Sequence, residues 1–175
     1  MTKNAAIGMV CVFVLVAGLS GCANLGGFGG AGSTGPGLSS SSAVSGSEDE
    51  FEATVGRTIL FSESSFALSA EEEAHLDKQA EWLKNNPTWL VKVQGHADDP
   101  GSESENKTLS QRRAEIVLAG LVSRGVEARR MWAKGYGIER PLTDCDPAAC
   151  SRLDRRVVLN LRDSYDDSAP KALRN

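Results

Sequence analysis

The sequence predicts an α/β domain of the two-layer α+β kind, with elements in the order β-α-β-α-β-β and two helices laid on one face of a small sheet. Three observations carry this reading. Residues 89–94 and 156–161 alternate apolar and polar side chains, as half-buried strands do. Two longer segments repeat apolar residues at helical spacing, and Pro or Gly punctuates the boundaries between them.

Taken in order, residues 56–61 (GRTILF) are β-branched and aromatic and read as the first strand. Ser69 with Glu72 three residues later is a capping box, after which Leu76, Ala80 and Leu83 share one helical face until Pro87 forbids continuation. The second strand, residues 89–94, ends at Gly95. From Asn106 a second helix carries Leu109, Ile116, Val117 and Leu121 on one side and stops near Gly125. Residues 131–136 form a short third strand and residues 156–161 a fourth. The folded part is expected over residues 51–162, with its first strand from about Arg57, and the polar tail 163–175 is expected to be loose.

A chain of 175 residues, 41% hydrophobic, has room for one ordinary domain and not comfortably for two, which argues against a multi-domain enzyme. Its formal charge of −4 gives no support to broad attraction to nucleic acid or anionic headgroups. Recognition must therefore come from a local site. Residues 1–21 read as an export signal: Lys3, an apolar run from Ala5 to Leu19, then small residues, too short for a bilayer span. Leu19-Ser20-Gly21-Cys22 resembles the bacterial lipoprotein box, which would make Cys22 the lipid-bearing first residue. An ordinary secretory signal or an uncleaved anchor fits the length of the apolar run less well.

Residues 22–50 then read as a tether. Of the 28 residues after Cys22, 15 are Gly or Ser. Such a chain spans roughly 29 Å on average and about 95 Å when stretched. With Cys11 in the signal and Cys22 lipidated, Cys145 and Cys150 remain. In an oxidising compartment they are expected to close a small disulfide loop. Two thiolates alone supply too few ligands for structural zinc, and the spacing excludes a CxxC redox pair.

Charge is polarised along the domain. Residues 51–105 carry seven more acids than bases, and residues 106–162 six more bases than acids. Solvated helix faces account for much of this, but a site taking its acid from the first half and its base from the second would suit a zwitterion. Asp98 directly follows a strand, and Arg113 shares the inward face of the next helix with Leu109 and Ile116. A guanidinium buried there needs a partner, and Asp98 is the obvious one. Either the two form a structural salt bridge, or they stand a ligand's width apart, the carboxylate taking an ammonium and the guanidinium gripping a carboxylate.

The stretch Gly95-His96-Ala97-Asp98 with Gly101, followed by Asn106, Leu109-Ser110, Arg113-Ala114, Val117, Gly135-Tyr136-Gly137, Pro141 and Arg155-Arg156-Val157, resembles the OmpA-like peptidoglycan-binding domain over about 105 residues. With the lipobox and tether, the whole chain is similar to the peptidoglycan-associated lipoproteins. The resemblance implies a small mixed sheet and non-covalent binding of the diaminopimelic acid residue in the stem peptide of peptidoglycan. It places the ligand-gripping acid on Asp98 and the guanidinium on Arg113, with Ala97, Asn106, Leu109 and Arg155 around them. It implies an outer-membrane location on the periplasmic face, Ala23 rather than Asp following Cys22, and possible docking to periplasmic proteins of the Tol system. Ser62, Glu105 and Asp154 depart from the family's frequent Asp, Tyr and Asn.

Other classes fit less well. No Ser or Cys nucleophile has a base and an orienting acid beside it, and no metal ligands are spaced as in an amidase. Of the two histidines, His75 falls on a polar helix face, and His96 is read as a structural residue hydrogen-bonding its loop. No cofactor is expected. Asp98, Asp99, Glu103 and Glu105 offer hard oxygens in one loop but lack the alternation and central Gly of an EF-hand, so a calcium site is disfavoured. A module that mainly contacts other envelope proteins is the alternative function.

Overall fold

The computed structural model describes residues 44–174; the expected signal segment, Cys22 and the expected tether up to residue 43 lie outside the described residues. The elements are α1 (Glu48–Thr54), β1 (Thr58–Leu60), α2 (Ala70–Asn85), β2 (Leu90–Gly95), α3 (Glu103–Ser123), β3 (Met131–Gly135), α4 (Pro147–Asp154), β4 (Arg156–Arg162) and α5 (Lys171–Arg174), with one 3-10 turn at Ala128–Arg130.

The four strands form one sheet in the order β1-β4-β2-β3. β3 runs parallel to β2, with Val93 opposite Ala133, and α3 makes the crossover between them. β4 is antiparallel to both neighbours, pairing Leu159 with Val93 and Val157 with Ile59. The expected order of four strands and two main helices is therefore present, and the sheet is mixed. Alternation decides which side is core: Val157, Leu159 and Leu161 of β4 are buried, and they meet Leu76 and Leu83 of α2 and Val117 and Leu121 of α3. Gly95 and Gly135 let α3 approach the sheet ends. A Cβ at Gly95 would lie 1.9 Å from the Ser110 carbonyl oxygen, and one at Gly135 2.5 Å from the Gln111 nitrogen.

Four expectations need correction. The folded part begins before residue 51, because Ser47 caps α1 and Phe51 is fully buried, its ring 4.7 Å from that of Trp82. One large apolar residue in a seven-residue helix leaves no period to read. α3 starts at Glu103 rather than Asn106, since Ser102 and Glu105 close a reciprocal capping box. At Ser69 only half of the expected box forms: its hydroxyl accepts from the Glu72 amide at 3.2 Å, while the Glu72 carboxylate turns toward His75.

The tail is not loose. It packs on the sheet face opposite the helices, where Asp166 pairs with Lys92 at 2.5 Å, the Trp132 indole donates to the Ser168 hydroxyl at 3.0 Å and Ala169 is buried. The sheet's second face presents Lys92 and Trp132, and the polar tail supplies matching acceptors. Cys145 and Cys150 are joined as expected, their Cα atoms 5.4 Å apart. The bridge ties the residue before the N-cap of α4 to a position within that helix, which the sequence did not predict and which Asp146 and Pro147 start.

Candidate functional site

The site is assembled where β2 ends. His96 continues the strand by donating its amide to the Arg156 carbonyl at 2.8 Å, and the Ala97 amide donates to the Gly137 carbonyl at 3.1 Å. The chain then turns into α3 through residues 98–102. Asn106, buried on the first turn of α3, ties that loop down: its carbonyl oxygen accepts from the Asp99 amide and its amide nitrogen donates to the Asp99 carbonyl, both at 2.9 Å. His96 does not hydrogen-bond the loop through its ring, as the sequence reading expected. The ring stacks on Tyr136 at 5.6 Å, and its Nδ1 is buried without a partner among the described residues. Burial first, then the positive charges of Arg156 and Arg140, push its pKa down to about 4, so the ring is neutral at neutral pH.

Arg113 is completely buried. Its guanidinium donates Nη1 to Asp99 Oδ2 at 2.7 Å, Nη2 to Asp99 Oδ1 at 3.1 Å and to the Ser62 carbonyl at 3.1 Å, and Nε to the Ser65 carbonyl at 2.7 Å. The Phe61 ring lies 5.3 Å from the guanidinium carbon. The Ser64 amide donates to Asp99 Oδ1 at 2.5 Å, and Ser64 adopts φ 56°, a left-handed conformation that costs a non-glycine residue about 1 kcal/mol. The partner expected for Arg113 was Asp98; it is Asp99. Two adjacent acids cannot both point inward from an extended segment, and the one facing α3 takes the buried cation, which needs a two-oxygen partner. Asp98 stands in solvent, with its carbonyl 3.4 Å from the Ser151 hydroxyl of α4.

Two depressions flank the segment 62–67 that closes over Arg113. On one side Arg155 and Arg152 line a cavity of about 380 Å³ with Phe61, Ser62, Glu63 and Ala67. The Nε of Arg155 is buried there without a partner among the described residues, and Nη1 donates to the Ser151 carbonyl at 3.3 Å. On the other side half-buried Leu109 lies in a groove of about 300 Å³ with Ser64, Phe66 and Arg112, the Arg112 guanidinium sitting 4.0 Å over the Phe66 ring. Ala97, Asp98, Asn106 and Arg113 thus gather around one loop, while Leu109 and Arg155 lie on opposite sides of the neighbouring segment. The carbonyls of Ser62 and Ser65 and the Asp99 carboxylate were missed as partners of Arg113; only the proximity of Asp99 to Asp98 hinted at one of them.

Two of the loop's four acids are engaged within the domain. Asp99 is taken by Arg113, and Glu105 is held by the Ser102 amide and hydroxyl, which lower its pKa. Among the described residues no group of three or more His, Cys, Asp or Glu side chains could hold a metal ion.

The model of the OmpA family matches residues 60–155. This chain belongs to the OmpA family. It is 40% identical to the peptidoglycan-associated lipoprotein of Rhizobium meliloti over 124 residues, 71% of this chain and 70% of that protein. It is 37% identical to the peptidoglycan-associated lipoprotein of Agrobacterium fabrum over 167 residues, 90% of this chain and 89% of that one. Among solved structures, the peptidoglycan-associated lipoprotein from Burkholderia pseudomallei superposes with a TM-score of 0.57 at 30% identity, covering 61% of this chain and 90% of that chain.

Proposed function

We propose that the chain is a non-enzymatic lipoprotein that binds peptidoglycan without covalent attachment and tethers the outer membrane to the wall. The ligand is the diaminopimelate residue of the stem peptide, whose distal end carries an ammonium and a carboxylate on one carbon. Asp98 takes the ammonium, the Arg113 guanidinium takes the carboxylate, and Ala97, Asn106, Leu109 and Arg155 shape the surroundings. The observation that supports this best is the juxtaposition at the end of β2. Asp98, an exposed carboxylate, is the chain neighbour of Asp99, which holds the Arg113 guanidinium in two-point geometry.

Cys22 carries the lipid, and the segment between it and α1 lets the domain reach a wall away from the membrane. A charge-assisted hydrogen bond contributes about 1.5–3 kcal/mol net, so one site is weak and reversible. Many anchored copies facing one continuous wall gain from effective concentration.

A second reading, a module that docks periplasmic proteins of the Tol type, is favoured by two exposed apolar side chains in the β3–α4 connection, Ile138 and Leu142. Sedimentation with purified sacculi separates the readings. The chain purified in mild detergent should pellet, free diaminopimelic acid should release it, and Asp98→Ala should stay in solution. If the parent remains in solution, wall binding is wrong and the docking reading takes its place.

A further inference from the structure

The guanidinium that the proposed function assigns to the ligand is not vacant in the free domain. Asp99 holds it by two hydrogen bonds, Ser62 and Ser65 cover it with their carbonyls, and no part of the Arg113 side chain reaches solvent. A ligand carboxylate therefore cannot simply add to Arg113. It has to take the place of a carboxylate already there.

Resting on that wall-binding reading, we propose that Asp99 is the specificity-determining residue of the site: an internal carboxylate that occupies Arg113 until a carboxylate-bearing ligand replaces it. Three features make Asp99 the member that leaves. It sits at the margin of the buried cluster, 8% exposed, next to the exposed turn at Pro100 and Gly101. Arg113 is anchored on the inward face of the long helix α3 between core residues, so it cannot follow a ligand outward. The covering segment is the strained part, because Ser64 keeps its left-handed φ while its amide donates to the same Asp99 carboxylate. Withdrawal of Asp99 releases that amide and lets residues 62–67 move.

The exchange fixes the class of ligand. A buried guanidinium stripped of its counter-charge is strongly unfavourable, so only an incoming group that is itself negative can compensate. A carboxamide offers an acceptor oxygen but no charge. The site therefore selects stem peptides whose diaminopimelate keeps its distal carboxylate and rejects those in which it is amidated.

The test measures binding of a diaminopimelate tripeptide and of its distal carboxamide by titration calorimetry, to the parent chain and to Asp99→Asn, with the Ser64 amide followed by NMR. The parent should bind the carboxylate form at least tenfold more tightly than the carboxamide, and the Ser64 amide should lose exchange protection as the peptide saturates. Asp99→Asn should bind the carboxylate form about tenfold more tightly than the parent, since the competing charge is gone. Equal or weaker binding by folded Asp99→Asn overturns the exchange while leaving wall binding intact. If the variant does not fold, unchanged Ser64 protection in the saturated parent overturns it equally. A parent that binds neither peptide nor sacculi removes the function itself.

Discussion

Two arginines are buried in this domain, and they are held in different ways. Arg130 follows α2 and β2 in the chain and donates only to backbone carbonyls: Leu83 at 3.1 Å, Asn86 at 3.0 Å and Trp89 at 2.9 Å. It closes the C-terminal end of α2 by taking the Leu83 carbonyl, and burial lowers its pKa. Arg113 also takes two carbonyls, but its main partner is the Asp99 side chain. Carbonyls of a helix end cannot leave without unfolding that end, whereas a side-chain carboxylate on a loop can. One guanidinium is a brace and the other is a seat.

The largest expected effect comes from breaking the seat. Arg113→Ala leaves Asp99 buried without its counter-charge and should cost about 3–5 kcal/mol of stability by denaturant unfolding. Binding to sacculi should be lost even below the melting temperature. Acid should weaken the same end. His96 has its pKa lowered to about 4 in the folded chain against an ordinary value of 6.5. The unfolded chain therefore binds the extra proton first as pH falls. Stability should be level above about pH 6.5 and decline by about 3 kcal/mol toward pH 4, and His96→Phe should flatten that decline.

Breaking the brace should separate stability from binding. Arg130→Met leaves the α2 carbonyls short of donors and should cost about 2–3 kcal/mol, while the folded protein pellets with sacculi as before. The smallest effect is expected at the Cys145–Cys150 bridge, which closes a short loop over the start of α4. Reduction should remove about 2 kcal/mol, read as a lowered Tm, with little change in affinity. An unchanged Tm on reduction would show that the bridge contributes nothing to the native state.

The contrast also explains what the sequence disclosed. Elements that repeat a period over many residues, the alternation of β4 and the apolar faces of α2 and α3, were legible because each repeat restates the same burial. α1 was not, because its place rests on tertiary contacts rather than a period: Phe51 on Trp82, the Trp82 indole donating to Glu50, and Arg57 paired with Glu48. The tail was misread for the opposite reason. Its polarity suggested solvent, yet Asp166 and Ser168 are matched to Lys92 and Trp132 on a sheet face that alternation alone does not mark as covered.

At the site, the types of residue were legible and their pairing was not. Spacing brought an acid and Arg113 together, but choosing between Asp98 and Asp99 depends on which way one loop residue faces. Neither the carbonyls of Ser62 and Ser65 nor those that hold Arg130 leave a trace in sequence, since any residue supplies a carbonyl.

The most direct test compares Arg113→Lys with Arg130→Lys in the sacculus assay, after both variants are shown to be folded at the assay temperature. A lysine keeps the charge but cannot make the planar two-point grip. Arg113→Lys should stay in solution while Arg130→Lys pellets like the parent. If Arg113→Lys pellets as well as the parent, Arg113 is only a second brace and the carboxylate seat does not exist.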